Sequence, residues 1–180
     1  MSILFTILIL LVLIIAALLL AALFTQKDYS VLREIVFNQP NKSVFDFIRY
    51  LKNQDSFSKW ATMDPDMKKE YRGIDGTPGF VSAWESENKK VGKGEQEIVT
   101  ILEGVRIDFN LRFIKPFPGV AKAYMSTESI SENQTKVKWG LESGMKYPMN
   151  IMLLFMNMDK MLGDDLETGL QNLKRKLDSN

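Results

Sequence analysis

The sequence predicts an α+β domain, an antiparallel sheet of about six to seven strands packed on one long C-terminal helix, preceded by a single transmembrane helix. Three observations predict it. All 23 Lys and Arg and all 22 Asp and Glu lie beyond residue 26, so an uncharged apolar segment precedes a normally solvated body. The middle of that body alternates apolar and polar residues between glycine-marked turns, the period of half-buried strands. Its C-terminal segment repeats apolar residues at three- and four-residue steps, the period of an amphipathic helix.

The first element is Ile3 to Phe24, 22 residues with Thr6 as the one polar side chain. As a helix it would span roughly 33 Å, against about 30 Å of bilayer hydrocarbon. A core helix would carry a polar stripe, and this segment has none. A cleaved signal peptide is the competing reading. It is disfavoured by the absence of Lys or Arg before the run, by the run's length, and by the lack of a small-x-small site before Thr25 or Lys27. Residues 1–26 are therefore read as a membrane anchor, residues 27–180 as one domain large enough for a good core. Lys27, Arg33 and Lys42 follow the span. By the positive-inside rule they lean the domain to the cytoplasmic side of the membrane.

The remaining elements follow in order. Val31–Phe37 is β-rich and opens the sheet, and Gln39-Pro40-Asn41 breaks it. Asn41 or Ser43 can cap a helix whose apolar face is Val44, Phe45, Phe47, Ile48 and Leu51. Asp55–Trp60 reads as a second short helix, and Asp64-Pro65-Asp66 as a turn. Strands are expected at Lys69–Gly73, Phe80–Glu85 and Gly94–Leu102. Glu103-Gly104 is a hairpin turn into the clearest strand of the chain. There Val105, Ile107, Phe109, Leu111 and Phe113 alternate with Arg106, Asp108, Asn110 and Arg112. Val120–Ile130 and Thr135–Leu141 follow. Met152, Phe155, Met156, Asp159, Leu162, Leu166, Leu170, Leu173 and Leu177 then predict one continuous helix that covers the sheet's apolar face.

Composition narrows the chemistry. There is no cysteine and no histidine. Thiolate nucleophiles, Cys- or His-ligated metals, Ser-His-Asp triads and imidazole acid/base catalysis are excluded. No cofactor is called for. A formal net charge of +1 lacks the basic excess that drives nucleic-acid binding.

Taken together the body resembles the START-like (SRPBCC) superfamily, in its polyketide cyclase/dehydrase-like branch. The residues that carry the resemblance span most of the body. They are Pro40-Asn41 with Val44-Phe45-Asp46-Phe47-Ile48, Phe57-Ser58-Lys59-Trp60, Met63-Asp64-Pro65-Asp66, and Gly79-Phe80-Val81-Ser82-Ala83-Trp84. Gly92 to Ile98, Phe113-Ile114-Lys115-Pro116-Phe117, Thr135 to Trp139 and Gly163 to Lys174 complete them. The resemblance implies a helix-grip fold, in which a curved sheet grips the C-terminal helix with a cavity between them. It implies no particular reaction, because this fold hosts carriers, cyclases, hydrolase-like members and stress-response modules. The anchor lies outside the family domain.

Candidate ligand-contacting residues are Trp84, Phe109, Phe113, Tyr124 and Trp139, each equally able to fill the core. Met149, Met152, Met156, Met158 and Met161 are half of the chain's ten methionines. Met152 and Met156 are taken as pocket wall, since methionine adapts to variable apolar partners; a loosely packed helix end or a membrane contact gives the same cluster. Asp159 is the one charge in the helix's apolar stripe. It is either a polar anchor facing the cavity or a residue at the stripe's edge. Glu97 and Tyr124 are further residues to inspect for acid/base work. The pairs Glu85/Glu87 and Glu95/Glu97 share strand faces, as exposed acidic residues often do. Gly92-Lys93-Gly94 is not a phosphate loop, and Asp64-Pro65-Asp66 is not a calcium loop.

The expectation is a membrane-anchored module that binds a hydrophobic small molecule or lipid-like ligand, with the membrane contacted through residues 3–24. The alternatives are a ligand-free membrane-tethered interaction or stress-response module, and a cyclase- or dehydratase-type enzyme.

Overall fold

A computed structural model describes residues 3–178. Helix α1 (Ile3–Phe24) comes first; among its residues only Ala22 is buried. It is long and apolar enough to cross a membrane. Strand β1 (Asp28–Phe37) follows after three residues. Helix α2 (Asn41–Ile48), a 3-10 turn (Leu51–Ser56) and the single turn α3 (Lys59–Thr62) separate it from the rest of the sheet. Strands β2 (Lys68–Arg72), β3 (Val81–Glu85), β4 (Lys93–Leu102), β5 (Arg106–Lys115), β6 (Gly119–Ser131) and β7 (Gln134–Gly144) run as a meander. A second 3-10 turn (Met149–Leu154) leads into α4 (Met158–Asp178).

The seven strands form one sheet in the order β1-β7-β6-β5-β4-β3-β2, and every pairing is antiparallel. The β4–β5 register slips between Ile98 and Thr100. Such an irregularity bends and twists the strand, and here the bent sheet curls its inner face around α4.

Strand parity decides which side chains reach that inner face. On β5, Ile107 and Phe109 are fully buried, and Leu111 and Phe113 pack against the core. Val105, in the turn, is exposed. Met125 of β6, Val137 of β7, and Val31 and Phe37 of β1 extend the core. Leu166, Leu170 and Leu173 of α4 cover it from above, and Phe45, Ile48 and Phe57 close one side. Each such side chain contributes about 1.5–3 kcal/mol when buried.

Three local expectations are corrected. Neither Asn41 nor Ser43 caps α2, because Pro40 occupies the cap and no side chain bonds there. The Asn41 amide instead donates to the Gly104 carbonyl at 3.1 Å. The second short helix is split into the 3-10 turn and α3, on either side of Ser58. The C-terminal helix is not continuous from Met152. It starts at Met158, where the Asn157 side chain accepts the Lys160 N–H at 2.8 Å, an N-cap contact.

A clamp holds α4 on the sheet. Arg33 of β1 donates to Asp159, Nη1 to Oδ1 at 2.9 Å and Nη2 to Oδ2 at 3.1 Å, and to the Asp159 carbonyl at 2.9 Å. Its guanidinium lies on Gly163, where a Cβ would come within 2.0 Å of Nη2. The hydrogen bond from Arg33 holds the Asp159 carboxyl below its usual 3.8. A lowered carboxylate pKa stabilises the fold above the ordinary value, and the contribution is lost as pH falls through the folded-state value. Between pH 5 and pH 2 the wild-type melting temperature should therefore fall more steeply than that of Asp159→Asn. Parallel curves would show that the pair contributes nothing.

Candidate ligand cavity

Beneath the N-terminal half of α4 the inner face of the sheet is not filled. A cavity of about 300 Å³ remains. Its floor is Leu111 and Phe113 of β5, Ala123 of β6, and Trp139, Leu141 and Ser143 of β7. Its roof is Met158, Leu162 and Leu166 of α4. Leu51, Gln54, Ser58 and Trp60 close one side, and Ser82, Trp84 and Gln96 the other. At the mouth stand Lys90 and Val91 of the β3–β4 loop, Lys115 at the end of β5, and Pro116 and Phe117 after it.

The aromatic walls are interlocked. Trp139 meets Phe57 and Trp60 edge-on, with centroids 5.8 and 6.4 Å apart. Trp84 meets Phe113 the same way at 6.3 Å, and its indole N–H donates to the Val91 carbonyl at 3.2 Å. Edge-to-face pairs of this kind add about 0.5–1.5 kcal/mol beyond area burial. The Trp139 ring is seated against Gly169, where a Cβ would lie 2.7 Å from it. In Gly169→Ala the gain of about 1 kcal/mol in helix propensity is opposed by an overpacking cost of about 1–3 kcal/mol. We expect a net loss of about 1 kcal/mol in chemical denaturation, the cost exceeding the gain, with the indole displaced toward the cavity. A variant more stable than wild type would show the ring free to move.

The polar groups are few and grouped. Ser82 and Gln96 are direct cross-strand partners on the inner face. Neither side chain, nor that of Ser58, has a hydrogen-bond partner among the described residues. Their polar atoms are not sealed off either, so they remain available to whatever fills the space. Asp55 and Lys69 also line the cavity and form an ion pair. Asp55 accepts a second hydrogen bond from the Tyr71 hydroxyl. Burial, and then that bond, push Tyr71 well above the usual tyrosine range, so it acts as a neutral donor.

Of the residues singled out in the sequence, Trp84, Phe113 and Trp139 line the cavity. The others do not. Phe109 shares their face but is sealed in the core. Tyr124 is on the outer face, its ring over Gly140 and under the Arg106 guanidinium at 3.8 Å. Met152 and Met156 belong to the connection before α4 and stay outside the lining; of that cluster Met158 enters it, together with Met67 from before β2. Asp159 points to Arg33 and not to the cavity. Glu97 faces outward, into an open trough of about 1050 Å³ on the far side of the sheet. That trough carries charges of both signs, and its Glu95 is paired with Arg72 and Arg112. Gln54, Ser58, Ser82, Gln96, Leu111, Leu162 and Leu166 were not singled out. For Ser82 and Gln96 the signal was available, since each has the strand parity of apolar neighbours.

Solved structures share this architecture. Norcoclaurine synthase from Thalictrum flavum matches with a TM-score of 0.66 at 8% identity, over 88% of this chain and 91% of that one. A protein from Thermus thermophilus matches at 0.60 and 18% identity, over 84% and 98%. One from Thermobifida fusca matches at 0.55 and 18%, over 82% and 91%. No family model matches the chain, and no curated protein matches it by sequence. The class this defines is the helix-grip fold. Within it, the chain has the fold of the START/Bet v1-like superfamily.

Proposed function

We propose that the chain is a membrane-anchored binding module for a hydrophobic or amphipathic small molecule, held between the sheet and α4. The observation that carries this is the cavity, walled by interlocked aromatic and aliphatic side chains with the unpaired Ser82–Gln96 couple on one side. Its volume is at the low end of the roughly 300–1,000 Å³ typical of ligand pockets. It suits one compact molecule or a single chain. The apolar body would lie on Trp139, Phe113 and Leu166, with one polar group at Ser82 and Gln96. A fold neighbour gives support in kind: norcoclaurine synthase from Thalictrum flavum was solved in complex with dopamine and hydroxybenzaldehyde.

Residues 1–26 act as the anchor and 27–180 as the binding domain. The domain then sits where apolar ligands partition, on the cytoplasmic side of a bacterial inner membrane. A fluorescent-protein fusion at the C-terminus would report that side, because the fluorophore matures in the cytoplasm. Catalysis is a weaker reading. Asp55 and Lys69, the charged pair in the wall, are held against one another and Tyr71.

The test is direct. The full chain, purified in detergent, is extracted with organic solvent and the extract analysed by mass spectrometry. A discrete co-purifying molecule is expected, and 1-anilinonaphthalene-8-sulfonate should bind with a thermal shift. An empty extract, and no shift with this dye, fatty acids or small aromatics, would overturn the reading.

A further inference from the structure

The strand register gathers several unrelated features at one end of the sheet. Asp28 pairs with Gly144, Phe113 with Gly119, and Glu85 with Lys93. The exit of α1, the β3–β4 loop, the β5–β6 loop and the β7–α4 connection therefore all lie at that end. The cavity mouth, at Lys90 and Phe117, lies there too. The opposite end holds the β2–β3 loop, the β4–β5 and β6–β7 turns, the start of α2, with Asn41 bonded to Gly104, and the C-terminus of α4; its most exposed apolar residues, Ile74 and Leu102, are aliphatic.

This end exposes large apolar side chains. Phe117 is 78% exposed, Phe155 77% and Leu154 60%. In water they would be an unusual patch. The segments at this end carry Lys27, Lys89, Lys90, Lys115 and Lys146, none of them in an ion pair among the described residues, against the exposed acidic Asp28 and Glu87. Exposed aromatic and aliphatic side chains on segments with an excess of lysine suit the headgroup layer of an anionic bilayer.

The patch is fixed to α1. Asn150 is fully buried, and its side-chain amide donates to the Ala22 carbonyl at 2.7 Å and the Thr25 carbonyl at 3.0 Å. The Met145 N–H donates to the Lys27 carbonyl at 2.8 Å. Helix C-termini leave their last carbonyls without partners. Here Asn150 supplies one from the very segment that carries Leu154 and Phe155. Only Thr25, Gln26 and Lys27 separate α1 from β1, a reach of at most about 10 Å.

We propose that this end of the domain is a membrane-docking face: the collar around Phe117 and Phe155 sits in the headgroup layer of the anionic bilayer that α1 spans, and the cavity opens onto that bilayer. The proposal rests on the membrane reading of α1. It deepens the binding reading by naming the source of the ligand, an amphiphile that passes from the bilayer to the cavity without crossing water.

The chain has no cysteine, so a single introduced one can be labelled cleanly. Nitroxides are placed by Phe117→Cys, by Phe155→Cys, and by Glu132→Cys at the opposite end. The full chain is studied in nanodiscs of phosphatidylethanolamine with phosphatidylglycerol. Labels at 117 and 155 should be several-fold less accessible to a water-soluble nickel complex than the label at 132, and more accessible to oxygen. The double variant Lys90→Glu/Lys115→Glu, or discs of phosphatidylcholine alone, should raise both labels toward water. If labels at 117 and 155 match the one at 132 while the chain resists alkaline extraction from membranes, the docking face is overturned and the anchor stands. A chain removed by alkaline extraction overturns both. Spin–spin coupling between labels at 117 would show a second copy on the face, and would also overturn the proposal. Immersed labels with an empty solvent extract would support the docking face and overturn the ligand.

Discussion

Replacing Ala123 by phenylalanine should empty the cavity of its ligand and leave the protein folded. Ala123 sits in the middle of β6 on the inner face, between Phe109 and Leu141 in the register. Both neighbours are buried side chains of the core, so a benzyl group at position 123 has only the cavity to enter. With about 300 Å³ available, one ring removes a large part of the space. Phenylalanine is favourable in strands. Its buried area, at about 25 cal/mol per Å², offsets some of the overpacking cost of about 1–3 kcal/mol. The melting temperature should move by a few degrees at most. Dissociation constants for 1-anilinonaphthalene-8-sulfonate should rise at least about tenfold, which is about 1.4 kcal/mol, and the co-purifying molecule should vanish from the extract. Lys122→Phe, one residue away and on the outer face, is the control and should bind as wild type does. Undiminished binding by a folded Ala123→Phe would move the ligand to the outer trough or to the membrane-facing end.

The same position explains why the fold was more legible than the site. Large side chains at period two mark a core face, and β5 could be read at once from Ile107, Phe109, Leu111 and Phe113. A cavity is marked by what is small. On β6 the inner residues are Ala121, Ala123 and Met125, whereas the conspicuous aromatic, Tyr124, faces outward over Gly140. Choosing Tyr124 by size, and not by parity, placed it on the wrong face. The methionines misled in a related way. The apolar period runs through Asn157, so Met152 and Met156 look continuous with the helix, yet Asn157 caps α4 and Asn150 binds the preceding turn to α1. The Asn150 contact joins residues 128 positions apart, and nothing local announces it. Asp159 fell at the edge of the stripe because Gly163, one turn on, leaves room for Arg33.

The absence of histidine and cysteine now has a structural counterpart. In the cavity wall, Asp55 and Lys69 are matched to each other, whereas the neutral Ser82 and Gln96 are left open. Neutral donors and acceptors orient a ligand without creating a buried charge, whose desolvation penalty would be large.

Among substitutions in the cavity lining, Trp139→Ala is expected to damage the protein most, and it separates the two roles of the wall. The indole is almost wholly buried, packs edge-on against Phe57 and Trp60, fills the gap at Gly169, and forms part of the cavity floor. Truncating a buried tryptophan costs about 3–5 kcal/mol, a large share of the 5–15 kcal/mol that holds a typical domain together. Here the lost volume joins an existing cavity, so the void can admit solvent or ligand. That places the expected loss near the lower end, about 3 kcal/mol, and makes it dependent on occupancy. Saturating a ligand at one hundred times its dissociation constant returns about 2.7 kcal/mol to any protein that binds it only when folded. A bulkier amphiphile should therefore stabilise Trp139→Ala more than wild type in thermal melts, because the enlarged space accepts it. Phe57→Ala removes the same aromatic contact from outside the lining. It should be destabilised by a similar amount without that selective rescue. Equal rescue of both variants would mean that the wall at Trp139 packs the core and does not touch the ligand.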